Sequence, residues 1–225
     1  MKGGAFNPMN TIKLIQEKKT FLIMIFANLI LQLGITYYIL VNTDTQVLEQ
    51  RKRNSIFRRN FIGLLPLILL IIVMNMPMPS FARFIIFSIF SAYMGLILNS
   101  WEKLYGLEML KAVILSVVGV FISMIVFALG LLSFGIKLGN TFGIFLIVAL
   151  LLLIISRIVF LFAGTYSLYA KMFAIFGIAL FSIYIMYDTQ QILSRNYDGD
   201  FVTASLDYYL DFINLVGNFL NLNNN

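Results

Sequence analysis

The sequence predicts an all-α integral membrane protein, a bundle of seven transmembrane helices with the last, semi-apolar helix at its centre. Of the 225 residues, 60% are hydrophobic and only 12% are charged, and the mean hydropathy is +0.92. Soluble domains average about 25% charged residues, so the composition excludes an ordinary water-soluble fold. Because apolar segments recur along the whole chain, we expect the first one to be a retained span rather than a cleaved signal peptide.

A bilayer core needs about 20 residues of helix, and six apolar segments are candidate membrane spans. They are 21–41, 61–76, 84–99, 112–134, 138–156 and 172–187. The second and third are short, but each can be extended by a turn of weakly polar residues. Pro77 and Pro79 indicate the turn between the second and third spans. The boundary between the fifth and sixth spans is expected around 157–171. In the alternative, Arg157 lies within a longer helix and extends its side chain to the lipid headgroups.

A seventh segment, 202–222, is semi-apolar and carries a polar stripe. The members of this stripe recur at helical spacing, and they are Asp207, Asp211, Asn214, Asn218 and Asn221. A charged group at the bilayer centre costs about 2.5 kcal/mol or more, so the stripe cannot face lipid. A helix lying flat on the membrane is the alternative, but such helices usually carry Lys or Arg on the polar face. We therefore expect the segment inside the bundle, with 1–20 and 223–225 as short tails.

The charge pattern and the missing residue types restrict the chemistry. The net charge is +6, which fits basic loops that lie against anionic lipid. The sequence contains no basic patch of the kind that is typical of nucleic-acid-binding proteins. The 16 Lys and Arg residues divide nearly evenly between the two sides and give no orientation. Cysteine and histidine are absent, which excludes disulfides, thiol nucleophiles and Cys/His zinc sites. We expect membrane lipid as a partner, no nucleic acid, no cofactor and no enzymatic activity.

The carboxylates are the remaining candidates for chemistry. Seven of the ten acidic residues, among them Asp198 and Asp200, are expected to be loop charges. The other three are Asp188, at the end of the sixth span, and Asp207 and Asp211 in the seventh segment. Two carboxylates held together in a poorly solvated place tend to share one proton and titrate as a unit. The proton would also control the attraction for a divalent cation, which prefers hard oxygen ligands.

Two segments resemble the closing motif of the Bax inhibitor-1 family, in particular its lifeguard and Golgi anti-apoptotic branch. They are FSIYIMYDTQ at 181–190 and DFVTASLDYYLDFINL at 200–215. The resemblance implies six helices wrapped around the last one and a pH-sensitive calcium leak channel. It implies that Asp188 and Asp211 gate the channel, sense pH and bind calcium transiently, with calcium and protons as the transported or sensed ions.

The resemblance also implies a cellular role. It implies an anti-apoptotic function in calcium homeostasis, apoptosis-regulating membrane proteins as partners, and the endoplasmic reticulum or Golgi rather than the plasma membrane. Auxiliary site residues are Asp207, Asn214 and Arg83. Asp207 lies where the family usually has an uncharged residue. Its carboxylate either adds a ligand for the cation or lies in the water-filled mouth of the channel. Arg83 is the candidate for the arginine that latches the aspartates in the family, although it lies several residues later than the motif places it.

Two other functions are kept as alternatives. The first is a non-conducting membrane scaffold that regulates cell death through protein partners, which only transport data would separate from a channel. The second is an intramembrane aspartyl protease, because Tyr187-Asp188 resembles one motif of that class and Asp198-Gly199-Asp200 superficially resembles the other. The required Gly-x-Gly-Asp is not present and no Pro-Ala-Leu follows, which disfavours the protease.

Overall fold

The described part of the chain is helical. The computed structural model describes residues 8–43, 77–194, 197 and 199–223, and these residues form helices and turns with no strand. The helices are α1 (Pro8–Glu17), α2 (Lys19–Asn42), α3 (Ser80–Tyr105), α4 (Leu107–Ser133), α5 (Asn140–Phe162), α6 (Tyr166–Ser194) and α7 (Phe201–Asn223). Five of them, α2 to α6, are long and apolar enough to cross a membrane. The predicted all-α membrane bundle is confirmed.

The last helix lies at the centre of the bundle. In α7, 13 of 23 residues are buried, whereas α5, of the same length, buries only Gly143 and Leu146. The largest side chains buried on α7 are Tyr208 and Tyr209. Tyr208 packs its ring 5.1 Å from that of Phe121 on α4, and Tyr209 packs 5.1 Å from Phe87 on α3. The neighbouring helices therefore shield α7 from lipid.

Side-chain contacts fix the directions of the helices. Asn28 and Thr36 of α2 contact Ser205 and Tyr209 of α7 in the same order along both helices, so α2 and α7 are parallel. Likewise, Gln32 of α2 contacts Ser88 of α3, and further along both helices Asn99 of α3 donates to the Leu40 carbonyl of α2. Helices α2 and α3 are therefore parallel as well. We call the end where α2, α3 and α7 begin the Asp200 end, and the other the Asn221 end. The span predicted at 61–76, between α2 and α3 in the chain, lies outside the described residues.

Two differences from the predicted boundaries concern the turn between α5 and α6 and the N-terminal segment. The turn between α5 and α6 is residues 163–165, with Gly164 at φ +71°. It lies within the expected boundary region, but α5 continues through Arg157 to Phe162 because arginine is a good helix former. Residues 8–17, within the segment expected to be a tail, form α1. The Ser133 hydroxyl of α4 donates to Thr11 Oγ1 of α1 at 3.0 Å, and both residues are buried.

Candidate functional site

The contact between α6 and α7 brings together the two predicted gating residues. The carboxyl groups of Asp188 and Asp211 lie within hydrogen-bond distance of each other. Asp211 is only 4% exposed, and its Oδ2 has no hydrogen-bond partner among the described residues. A hydrogen bond between two carboxyl groups requires a proton on one of them. The pair is therefore positioned to share a proton between two neighbouring helices.

Asp207 lies one helical turn before Asp211 and belongs to the same cluster. Its charge interacts with both Asp188 and Asp211. The Tyr197 hydroxyl, in the turn between α6 and α7, donates to Asp207 Oδ2 at 3.2 Å. Burial and the nearby Asp207 carboxylate raise the pKa of this hydroxyl, so Tyr197 remains a donor. Asp207 thus has a protein partner at the Asp200 end of the site.

The cluster is not arranged as a resident metal centre. Across the ranges that the structure describes, no group of three or more His, Cys, Asp or Glu side chains could hold a metal ion together. Calcium binding at Asp188 and Asp211 stays a prediction.

Tyr184 is a site residue that the sequence analysis missed. It lies one turn before Asp188 on α6, close enough to interact electrostatically with both Asp188 and Asp211. Its hydroxyl is buried, and no partner for it lies in the described part of the chain. Tyr184 also lines a cavity of about 270 Å³ between α5 and α6. The four-residue spacing to Asp188, which puts both side chains on one helix face, is the signal that could have identified it.

Arg83 lies at the Asp200 end, where it forms an ion pair with Asp200. Asp200 also begins α7: its Oδ1 accepts from the backbone N–H groups of Val202 and Thr203, each at 3.2 Å. Asp200 lies in the connection before α7, where a loop charge was expected, and it also caps the first turn of that helix, as an Asp that precedes a helix can. The structure brings Arg83 to this cap and not, among the described residues, to Asp188 or Asp211.

The rest of the polar stripe faces protein, as predicted. The Asn214 amide donates to the Leu210 carbonyl of its own helix at 2.8 Å, so its described hydrogen bond does not reach the aspartates. Asn218 accepts from Arg157 Nη2 at 2.5 Å. Tyr105 donates to Asn221 Oδ1 at 3.4 Å. The stripe therefore runs from carboxylates near the Asp200 end to amides near the Asn221 end.

A second set of polar contacts lies on another face of α7 and was also missed. We call it the α2 seam: Asn28, Gln32 and Thr36 recur every four residues on α2, and all three are buried. They bond to Ser205 and Tyr209 of α7, and to Ser88 and the Ser91 carbonyl of α3. In a bilayer, such interhelical hydrogen bonds hold helices together. The α2 seam fixes α7 on the side away from the aspartate pair.

Comparison with known proteins identifies the family. The family model described as "Inhibitor of apoptosis-promoting Bax1" matches residues 13–225. The "Bax inhibitor 1" of Schizosaccharomyces pombe is 32% identical over 134 residues, which are 59% of this chain and 48% of that protein. An uncharacterized protein of Helicobacter pylori strain 26695 is 36% identical over 73 residues, 32% of this chain and 31% of that protein.

The chain thus spans less than half the length of the curated relatives it matches. The family model, in contrast, covers nearly the whole chain, including both α6 and α7. Assignment to the lifeguard and Golgi branch stays a prediction. The chain belongs to the Bax inhibitor-1 family.

Proposed function

We propose that the protein is a passive, pH-sensitive calcium leak channel of an internal membrane, gated by Asp188 and Asp211. The observation that carries the proposal is the close contact between these two carboxyl groups, which lie on α6 and α7 inside the bundle. Ionisable residues inside a membrane are rare and usually mark ion or proton pathways. This contact depends on a proton, so its strength changes with pH.

The proposed gate opens when the shared proton is lost. With the proton present, the pair holds α6 against α7 and carries at most one negative charge. Without it, two like charges face each other in a poorly solvated place and repel. The same change leaves carboxylate oxygens free for a divalent cation, which prefers several hard oxygen ligands. Asp207, a turn away, supplies further negative charge at this point of the path.

The test is calcium flux into dye-loaded liposomes that contain the purified protein, measured from mildly acidic to mildly alkaline pH. We expect a leak that increases with pH in the wild type and loses its pH dependence in Asp188→Asn and in Asp211→Asn. Glu108→Gln is the matched control, because it removes a carboxylate whose side chain is 89% exposed and paired only with Lys111 among the described ion pairs. A wild-type protein that leaks no calcium at any pH refutes the channel.

The proposed cellular role rests on the family. We propose an anti-apoptotic function through calcium homeostasis, in the endoplasmic reticulum or Golgi, with apoptosis-regulating membrane proteins as partners. The family description names inhibition of an apoptosis-promoting protein, which also favours the non-conducting scaffold as the second candidate. Absent flux together with retained protection of cells from death would select the scaffold.

The protease alternative finds little support in the geometry. Its second aspartate would be Asp200, which is engaged by Arg83 and by the first turn of α7. The partner of Asp188 is Asp211 instead.

A further inference from the structure

A half-buried basic side chain, Arg157, contacts α6 and α7 toward the Asn221 end. Its Nη2 donates to Asn218 Oδ1 on α7 at 2.5 Å and to the Phe173 carbonyl on α6 at 3.0 Å. Its Nε is buried and has no partner in the ranges that the structure describes. The ion pairs found in those ranges are Arg83–Asp200 and Lys111–Glu108. The Arg157 guanidinium is thus held by neutral oxygens and not by a carboxylate.

A purely structural role does not account for this arrangement. Removing a cation from water without a nearby counter-charge costs free energy. An uncharged hydrogen-bond donor in place of Arg157 could bind Asn218 at a lower desolvation cost. The local packing is nevertheless built for the contact. A methyl group at Gly177 of α6 would collide with the Asn218 amide, so the glycine allows Asn218 to lie against α6 and to face Arg157.

The position of Arg157 relates it to the aspartate pair. Asn218 follows Asp211 on the polar stripe by two helical turns, which at about 1.5 Å per residue is about 10 Å along the axis of α7. A cation that leaves the pair and follows the stripe toward the Asn221 end therefore meets a positive charge. Because Coulomb energy scales with the charge of the ion, this barrier opposes a divalent cation more than a monovalent one.

We propose that Arg157, clasped by Asn218 and the Phe173 carbonyl, is the second barrier of the calcium path and limits the calcium leak. The inference rests on the proposed function and adds a residue to it. The aspartate pair sets when the path opens, and Arg157 sets how fast calcium passes and how strongly calcium is disfavoured relative to potassium.

The experiment compares calcium and potassium fluxes in liposomes for the wild type, Arg157→Met and Arg157→Lys. Arg157→Met keeps an unbranched side chain that reaches the position of Nε and removes the guanidinium charge. We expect it to raise the calcium leak at least about tenfold and the potassium leak less. Arg157→Lys keeps the charge and should remain within about twofold of the wild type. Lys171→Gln is the matched control, since it removes an exposed positive charge near the start of α6.

A second variant covers the case in which Arg157→Met does not fold. Gly177→Ala keeps the arginine but displaces Asn218, so the clasp is broken and we expect the calcium leak to rise. A folded Arg157→Met with a wild-type calcium leak, or with equal increases for both ions, overturns the inference. If Arg157→Met does not fold, an unchanged calcium leak in Gly177→Ala overturns it.

The two proposals fail in different ways. If Asp188→Asn changes the calcium leak but neither Arg157→Met nor Gly177→Ala does, the aspartate gate is supported and Arg157 is not part of the calcium path. Absence of flux from the wild type and from every variant removes the channel, and this inference with it.

Discussion

The hydroxyl groups of Thr36 and Tyr209 lie 2.6 Å apart, on two parallel helices. Both residues are buried, Thr36 at 2% exposure and Tyr209 completely. Thr36 also donates to the Ser91 carbonyl at 3.0 Å, so a single hydroxyl links α2, α7 and α3. The position of the central helix therefore depends on small polar groups as well as on apolar packing.

Replacing Thr36 with valine should destabilise the bundle. The substitution keeps the shape of the side chain and leaves the Tyr209 hydroxyl without this partner, a change that costs about 1–3 kcal/mol for a buried group. Thermal unfolding in detergent measures the effect, and Thr36→Ser, which keeps the hydroxyl, is the control. Equal melting temperatures for Thr36→Val and the wild type would show that the α2 seam does not stabilise the fold.

The shared proton should make the stability of the bundle depend on pH. Separated, solvated carboxyl groups are ionised above about pH 5, whereas two carboxyl groups held in contact tend to share a proton. The folded protein thus binds more protons than the unfolded one, and its stability falls as the pH rises. We expect the melting temperature to fall as the pH is raised above about pH 5, and to fall less in Asp211→Asn. If the melting temperatures of the wild type and Asp211→Asn changed with pH by the same amount, the shared proton would be contradicted.

The cap of α7 should be sensitive to the identity of residue 200. Asp200→Ala removes the acceptor for two backbone N–H groups and the partner of Arg83. Loss of such a cap costs about 0.5–2 kcal/mol, and the unpaired Arg83 adds to this cost. Hydrogen exchange at Val202 and Thr203 should accelerate in Asp200→Ala and much less in Asp200→Asn, which retains an acceptor. Unchanged exchange at both amides would show that the cap is dispensable.

Two glycine positions provide a matched pair. A methyl group at Gly95 of α3 would lie 2.6 Å from the Thr36 carbonyl and 2.7 Å from Ile39 Cβ, whereas one at Gly119 of α4 meets nothing within 4 Å. Gly95→Ala must separate α2 from α3, and overpacking of this kind costs about 1–3 kcal/mol. Gly119→Ala should be neutral, or stabilising by about 0.5–1 kcal/mol. Comparison of the two melting temperatures checks the close approach of the helices.

Much of the fold was predictable because hydropathy and helical periodicity are local properties of the sequence. The length of the apolar runs identified α2 to α6, and the spacing of Asp207, Asp211 and Asn218 indicated that α7 is enclosed. The α2 seam was overlooked because Asn28, Gln32 and Thr36 are dispersed in an apolar run of 24 residues. Their four-residue spacing was nonetheless visible in the sequence.

The partners of the charged residues were much harder to predict. Arg157 reaches Asn218 only because α5, α6 and α7 meet at that depth, and Arg83 reaches Asp200 across more than a hundred residues of chain. Such pairings depend on helix packing, which hydropathy does not encode. Helix α1 was missed for a similar reason, because its buried residue, Thr11, finds its partner on α4.

The parallel course of α2 and α7 has a consequence for sidedness. The start of α2 and the end of α7 lie on opposite faces of the membrane, so reporters fused at these two points would sample different compartments. The acidic cluster, with Asp207 six residues from the start of α7, lies in the half of the bundle nearer to the start of α2. If the aspartates sense pH as proposed, the compartment whose acidity they sense is the one that a reporter before α2 detects. Protease protection of that reporter identifies the compartment.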